Sequence, residues 1–255
     1  MKNRTIKILG YTVVHALLML LLVATAQGNK TAALKAEIAF SASDGMRNEI
    51  FTSTYDGLTW SEPEQVTNDN ANNVHPAIDI DQNENKYLFW TAIDEDGTTV
   101  KYAVYNGQEW SETKPLAPSF TSSITPSVVV DKNGSIWCVF AGHVDDDDDD
   151  DIYFLRLNTK DEKQTPQLLH ANNAVPDITP FVVINDQGNP VVSWKGFRGD
   201  AYSNLQSTWG NGEWSEEIDI SAEVADPEEI TEENSPVPLP DFINTDSQIC
   251  IRTYE

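Results

Sequence analysis

Two independent sequence markers recur at one interval of about 50 residues, and nothing else in the chain restricts its fold as strongly. The first marker is a proline-led apolar run, an Asp or Asn, and a second apolar run. It reads Pro76-Ala-Ile-Asp-Ile-Asp81 before Tyr87-Leu-Phe-Trp90, then Pro126-Ser-Val-Val-Val-Asp131 before Ile136-Trp-Cys-Val-Phe140. A third copy is Pro180-Phe-Val-Val-Ile-Asn185 before Val191-Val-Ser-Trp194, and a weaker fourth is Pro240-Asp-Phe-Ile-Asn244 before Ile249-Cys-Ile-Arg252. The leading prolines are 50, 54 and 60 residues apart. The second marker is an extended run, an Asp-Gly or Asn-Gly pair, and Trp-Ser-Glu. It occurs at Asp56-Gly57 with Trp60, Asn106-Gly107 with Trp110, and Asn211-Gly212 with Trp214. Trp60 and Trp110 are 50 apart, and Trp110 and Trp214 are 104 apart, which is two steps of 52. A copy without its Trp survives at Ile152-Tyr-Phe-Leu-Arg-Leu157.

Both markers are β-structure by their chemistry. Asp-Gly and Asn-Gly tolerate the positive φ of tight hairpin turns. Proline at the first residue of a strand removes no ladder hydrogen bond. Four short strands per repeat match one blade of a β-propeller. They are labelled A (Pro-led), B (ending near Trp90), C (ending at Tyr105) and D (starting at Trp110). The expected fold is all-β: a small β-propeller of about four blades, with four antiparallel strands per blade. Repeats start near residues 37, 76, 126 and 180, with a partial repeat from 240. This order leaves one strand over, because Glu37-Ile-Ala-Phe-Ser41 reads as strand B while the C-terminal segment offers both an A and a B. Four blades with a spare strand is the first reading. An incomplete five-bladed ring, completed by another chain in an oligomer, is the second.

Residues 1–26 stand apart from the repeats. Lys2, Arg4 and Lys7 precede an apolar core, and Ala24-Thr25-Ala26 offers small residues where a signal peptidase reads, so cleavage before Gln27 is expected. A spanning helix needs about 20 apolar residues, and this stretch is shorter and contains His15. Residues 27–255 then form a single secreted or periplasmic domain with no membrane insertion. Loss of the leader moves the formal charge from −25 to −28, which repels phosphates and excludes nucleic acid as a partner. Disorder is excluded by the aromatic and β-branched content, except at the Glu- and Pro-rich residues 225–240, read as a loop. Cys138 and Cys250 are placed in equivalent strands of different blades, as free thiols.

Ser53-Thr-Tyr-Asp-Gly-Leu-Thr-Trp60 resembles the Asp-box of the sialidase-like propeller superfamily, whose repeat reads Ser-x-Asp-x-Gly-x-Thr-Trp. It matches at Ser53, Gly57, Thr59 and Trp60 and departs at Tyr55, with the Asp moved to residue 56. The resemblance implies structural hairpins with Trp packed beneath them. It does not imply sialidase activity, since the family's Arg-Ile-Pro motif is absent and residues 27–255 hold four arginines, Arg47, Arg156, Arg198 and Arg252.

In such an architecture the B–C and D–A loops share one face, where a pocket is expected. Alignment of the repeats puts Arg47, Asp94–Asp96, the run Asp145–Asp151, Arg198 and His75 there. Arg47 and Arg198 fall in equivalent B–C loops and are the candidate ligand-binding cations, for a carboxylate or a pair of sugar hydroxyls. His75 precedes Pro76, where Thr125 and Thr179 stand in other repeats, and alone of these titrates near neutrality. Within the acidic run, Asp145, Asp147, Asp149 and Asp151 are the candidate calcium ligands; an unspaced run without glycine favours a solvated loop. Otherwise no cofactor is expected. Arg252 falls in the register of Trp90, Phe140 and Trp194, which are read as inter-blade core. The leading expectation is an exported recognition module for glycans or another protein. A glycoside hydrolase using loop-face carboxylates and a structural propeller without a small-molecule site are the alternatives.

Overall fold

The computed structural model describes residues 34–43, 45–145, 149–157, 165–222, 235–243 and 248–254, and every regular element among them is a strand. The leader lies outside the described residues. Among the described residues, no helix is long and apolar enough to cross a membrane.

The strands form sheets of four, eight and five strands, and antiparallel pairing divides them into four units, the second and third joined by one parallel bridge, Thr98 to Ser122. Unit 1 holds β1 (Lys35–Ser43), β2 (Asn48–Tyr55) and β3 (Glu64–Gln65). Unit 2 holds β4 (Asn72–Ile80), β5 (Lys86–Asp94), β6 (Gly97–Tyr105) and β7 (Lys114–Pro115). Unit 3 holds β8 (Ser122–Val130), β9 (Ile136–His143), β10 (Asp151–Leu157) and β11 (Gln167–Leu168). Unit 4 holds β12 (Asp177–Ile184), β13 (Pro190–Arg198), β14 (Ala201–Gly210), β15 (Glu213–Trp214) and β16 (Ile218–Asp219). The last strand, β17 (Gln248–Tyr254), pairs antiparallel with β1 and completes unit 1 from the far end of the chain.

This last pairing corrects the placement of the C-terminal strands. Residues 240–243 form no strand; β17 itself takes the A position beside β1. Arg252 therefore does not stand in strand B among the aromatics. Its guanidinium reaches across to unit 2 and meets the buried Asp79 carboxylate at 2.7 and 3.0 Å. Cys138 and Cys250 are free, as expected, but lie in a B strand and an A strand respectively, which are not equivalent. Burial pushes both thiols up in pKa, which keeps them unreactive. Part of the stretch read as a loop also has a packing role, since Val237 is buried, as is Ile243 just beyond it.

Units pack in series through alternate faces of their strands. Trp90, Leu88 and Ile78 of unit 2 meet Ala39 and Ile50 of unit 1. Tyr87 and Phe89 on the opposite face of unit 2 meet Cys138 and Phe140 of unit 3. Trp137 and Val139 of unit 3 meet Val192 and Trp194 of unit 4. The period-two alternation of strands makes this two-sided packing possible, and each fully buried Leu, Ile or Phe contributes about 1.5–3 kcal/mol. The outer face of unit 1 is covered differently: Ile38, Phe40 and Ile249 pack on Leu239, Phe242 and Ile243, so the C-terminal tail stands where a preceding unit would. Strands β17, β4, β8 and β12 lie against one another in that order.

Local chemistry explains the repeat markers. Oδ1 of Asp81, Asp131 and Asn185 each accepts two backbone N–H groups across the A–B turn, at 2.8–3.0 Å. In Trp-Ser-Glu, the Oγ of Ser61, Ser111 and Ser215 accepts the N–H of Thr54, Val104 and Thr208, each at 3.1 Å. Trp60 packs on Tyr55 with ring centroids 5.4 Å apart and donates Nε1 to Pro238 O at 2.6 Å, tying the first hairpin to the tail. Trp110 and Trp214 pack into the clusters between units.

Candidate functional site

His75, Thr125 and Thr179 share an unusual backbone, with φ of 52°, 50° and 51°. Each sits at a bulge inside its A strand, where the pairing register slips beside the following proline. His75 is thus a strand residue, where the sequence reading placed it in a loop. Its N–H donates to Gln248 Oε1 at 2.8 Å, and burial lowers its pKa, so the ring is neutral at pH 7. The imidazole Nδ1 and both threonine Oγ1 atoms are buried without a hydrogen-bond partner.

The B–C connection of unit 1 carries Arg47, whose Nη1 donates to Asp69 O at 2.8 Å and Asn70 Oδ1 at 3.1 Å. Met46, Arg47, Asn68, Asp69 and Asn70 line a shallow open cleft of about 370 Å³. Burial tends to raise the Asp69 pKa. Hydrogen bonds from Asn73 and the Ala71 N–H, with the Lys101 ammonium at 3.1 Å, outweigh it and hold the carboxyl below its ordinary value. Beneath the cleft lies a buried network. Glu49 accepts from Thr67 Oγ1 and from Asn73 Nδ2, and Asn73 Oδ1 accepts Trp90 Nε1 at 2.8 Å.

Arg198 occupies the equivalent connection of unit 4 and is fully engaged by its own unit. Its Nε and Nη2 fork onto Glu217 at 3.1 and 2.7 Å, and Nη1 and Nη2 reach Asp177 at 2.9 and 3.4 Å. All four carboxylate oxygens accept from this one guanidinium. The Arg198 hydrogen bond holds Glu217 below its ordinary pKa, while burial raises Asp177 despite the same cation. Nη1 also donates to Phe197 O at 3.0 Å.

The sequence candidates do not converge. Arg47 is held in unit 1, His75 beside β17, and Arg198 in unit 4. In the acidic run, Asp147 falls outside the described residues. Asp145 is exposed, Asp149 is half-buried, and Asp151 is buried inside β10 opposite Gly142. Asp150 instead pairs with His143 Nδ1 at 2.7 Å. Among the described residues, no three His, Cys, Asp or Glu groups are arranged to hold a metal ion. Asp69, Asn70, Asp177 and Glu217 escaped the sequence reading because their partners lie 19 to 23 residues away within one repeat, at a spacing that does not recur between repeats.

No family model and no curated protein matches the chain. Among solved structures, a protein of unknown function from Dyadobacter fermentans is 13% identical with a TM-score of 0.53, over 68% of this chain and 58% of that one. An endo-arabinase from Bacteroides thetaiotaomicron is 18% identical with a TM-score of 0.47, over 79% and 78%. The NanB sialidase from Streptococcus pneumoniae is 10% identical with a TM-score of 0.45, over 70% and 27%. The likeness to the Dyadobacter protein is one of fold, and this chain spans 58% of that protein's length. Fold and site together define an all-β repeat protein in which Arg47 and Arg198 stand at equivalent B–C connections of units 1 and 4 with different carboxylate and amide partners.

Proposed function

We propose that this chain is an exported, propeller-type recognition module of four blades, and that it binds glycan at the loop end of unit 1. The cleft of Arg47, Asn68, Asp69 and Asn70 carries the reading. The Asn68 and Asn70 amides there carry both donors and acceptors, and Arg47 carries donors, a set that matches vicinal sugar hydroxyls. The exposed Met46 supplies an apolar edge for a ring face. Binding is favoured over hydrolysis because glycoside cleavage needs a carboxyl that can deliver a proton beside a second carboxylate. Asp69 is held ionised, and the Asp177 and Glu217 oxygens are all engaged by Arg198. Borrowing β17 for unit 1 uses the strand left over in the sequence order and supports four units, arranged as an open row β17, β4, β8, β12.

A glycan array probed with residues 27–255, beside a fluorogenic glycoside panel, tests this. Array signal lost in Asn70→Ala, with no turnover, is the expected result. Turnover of any glycoside overturns the binding reading, and silence on both overturns recognition of glycans altogether.

A further inference from the structure

The four units differ most in the face each turns away from unit 1. In unit 2 that face presents Tyr87, Phe89, Val100 and Tyr102, and in unit 3 Trp137, Val139, Ile152 and Phe154; both are packed against the next unit. The rungs on the same face of unit 4 follow from the β13–β14 register: Val191 opposite Thr208, Ser193 opposite Gln206, Lys195 opposite Asn204, and Phe197 opposite Tyr202, with Phe181 and Val183 of β12 and Ile218 of β16 beside them. Their neighbours Trp194 and Leu205 point the other way, into the unit 3 cluster. None of the four apolar clusters includes a residue of these rungs. Where the preceding units carry aromatic and aliphatic pairs, the two middle rungs of unit 4 carry a hydroxyl, two amides and the Lys195 ammonium, between the Phe197–Tyr202 pair and Val191.

Of that pair Tyr202 is exposed and Phe197 half-buried. Tyr202 is 47% exposed, and its ring meets Phe197 edge-on with centroids 5.3 Å apart. The hairpin bearing it is fastened through Phe197 O to Arg198, and through Arg198 to Asp177 and Glu217. Gln206 Nε2 donates to Ser193 Oγ at 3.3 Å. Among the described residues, the Tyr202 hydroxyl, the Asn204 side-chain amide and Gln206 Oε1 make no hydrogen bond. A surface meant only for solvent has no use for a fixed aromatic pair, and a surface meant for another sheet has no use for unpaired amides.

We propose that Phe197, Tyr202, Asn204 and Gln206 form a second, flat glycan site on unit 4, which takes a neutral polysaccharide. The aromatic pair receives the C–H face of a sugar ring, and the amide rungs below it receive hydroxyls of the following residues. Net charge selects the class: the chain carries −25, which repels polyanions, and the single Lys195 ammonium among rungs without a carboxylate does not offset it. The ligand class rests on the glycan reading above, but the residues are different, so the two stand or fall separately.

Native affinity electrophoresis of residues 27–255 in gels containing arabinan, galactan or laminarin, with polygalacturonate as the anionic counterpart, decides it. Retardation in at least one neutral gel is expected. Tyr202→Ala should weaken it about five- to tenfold, Tyr202→Phe should keep it, and both should melt as the parent does. Asn70→Ala in the unit 1 cleft should leave part of the retardation. Equal retardation of the parent and Tyr202→Ala overturns the unit 4 site and leaves the cleft reading intact. Retardation by polygalacturonate alone overturns the neutral class, and no retardation in any gel overturns both sites.

Discussion

The turn ends of the four units and their loop ends are made from the same strands but held by different interactions. At the turn ends, short-range caps recur: Asp81, Asp131 and Asn185 close their turns in one geometry, and Ser61, Ser111 and Ser215 close theirs in another. At the loop ends, each unit differs. Arg47 meets Asp69 and Asn70, His143 meets Asp150, and Arg198 meets Asp177 and Glu217. Repetition marks what the fold requires of every unit. Variation marks where a unit is free to acquire a ligand. The comparison therefore makes a demand: substitutions at the turn ends should cost stability and spare binding, and those at the loop ends should do the reverse.

The largest expected effect is at the turn end of unit 1. Glu37 is fully buried and accepts Lys86 Nζ at 2.8 Å and Thr54 Oγ1 at 2.7 Å. Burial raises its pKa despite the lysine. Lys86→Met leaves a buried carboxylate without its cation and should cost about 3–5 kcal/mol at neutral pH in urea unfolding. A raised folded pKa means the penalty grows as pH rises through and above 4.5, so acidification should recover part of the loss. Glu37→Gln added to Lys86→Met should restore most of it. Next in size is Asp131→Ala, which strips the partners of the Asn133 and Ser135 N–H groups and of Trp137 Nε1, for about 1–3 kcal/mol. Asp131→Asn keeps the acceptor, as Asn185 does, and should cost less. Burial raises the Asp131 pKa, but its hydrogen bonds and Arg156 outweigh this and lower it. The cap's contribution should thus persist above pH 3.8 and fade as pH falls through the lower folded value.

The same division explains what the sequence revealed. Turn chemistry is local, so Pro, Asp-Gly and Trp-Ser-Glu exposed the antiparallel hairpins and the aromatic core at Trp90, Phe140 and Trp194. The C-terminus misled because Pro240 copies the marker without the pairing. The segment lies across Ile38 and Phe40, and β17 (Gln248–Tyr254) joins unit 1, whose last strand ends at Gln65, in no repeat-defined register. Its alternation Ile249-Cys-Ile with Arg252 was readable; that Arg252 has Asp79 as its partner was not, being 173 residues away. Loop-end contacts were illegible for the same reason, since a guanidinium and a carboxylate carry no mark of which partner they meet.

At the loop end, Arg198→Ala removes the shared cation of Asp177 and Glu217 and frees the Phe197 carbonyl. The expected cost is smaller, about 1–2 kcal/mol, because only Asp177 is buried. Glu217 then returns toward its ordinary pKa, so the part of the acid transition below pH 4.5 should shift. Urea unfolding at pH 7 and pH 4 reads both effects. Tyr202-dependent retardation in neutral gels should weaken more than stability does. If stability falls as far as in Lys86→Met, the distinction between the two ends is broken.

The smallest effect, and the finest test, is His75→Thr. Thr125 and Thr179 hold the same positive φ in the next two units, so threonine fits the backbone at no added strain. The imidazole is kept neutral by burial, with a pKa below 6.5 in the folded chain. The unfolded chain therefore binds the proton more readily, and wild-type stability falls as pH drops below about 6.5. Removing the imidazole abolishes that slope. Melting temperatures of the two proteins should agree closely at pH 7.5, and at pH 5 the variant should melt higher. A variant that melts lower at both values would mean that His75 holds a structural contact the threonines lack, and the inner strands would no longer count among the features common to all units.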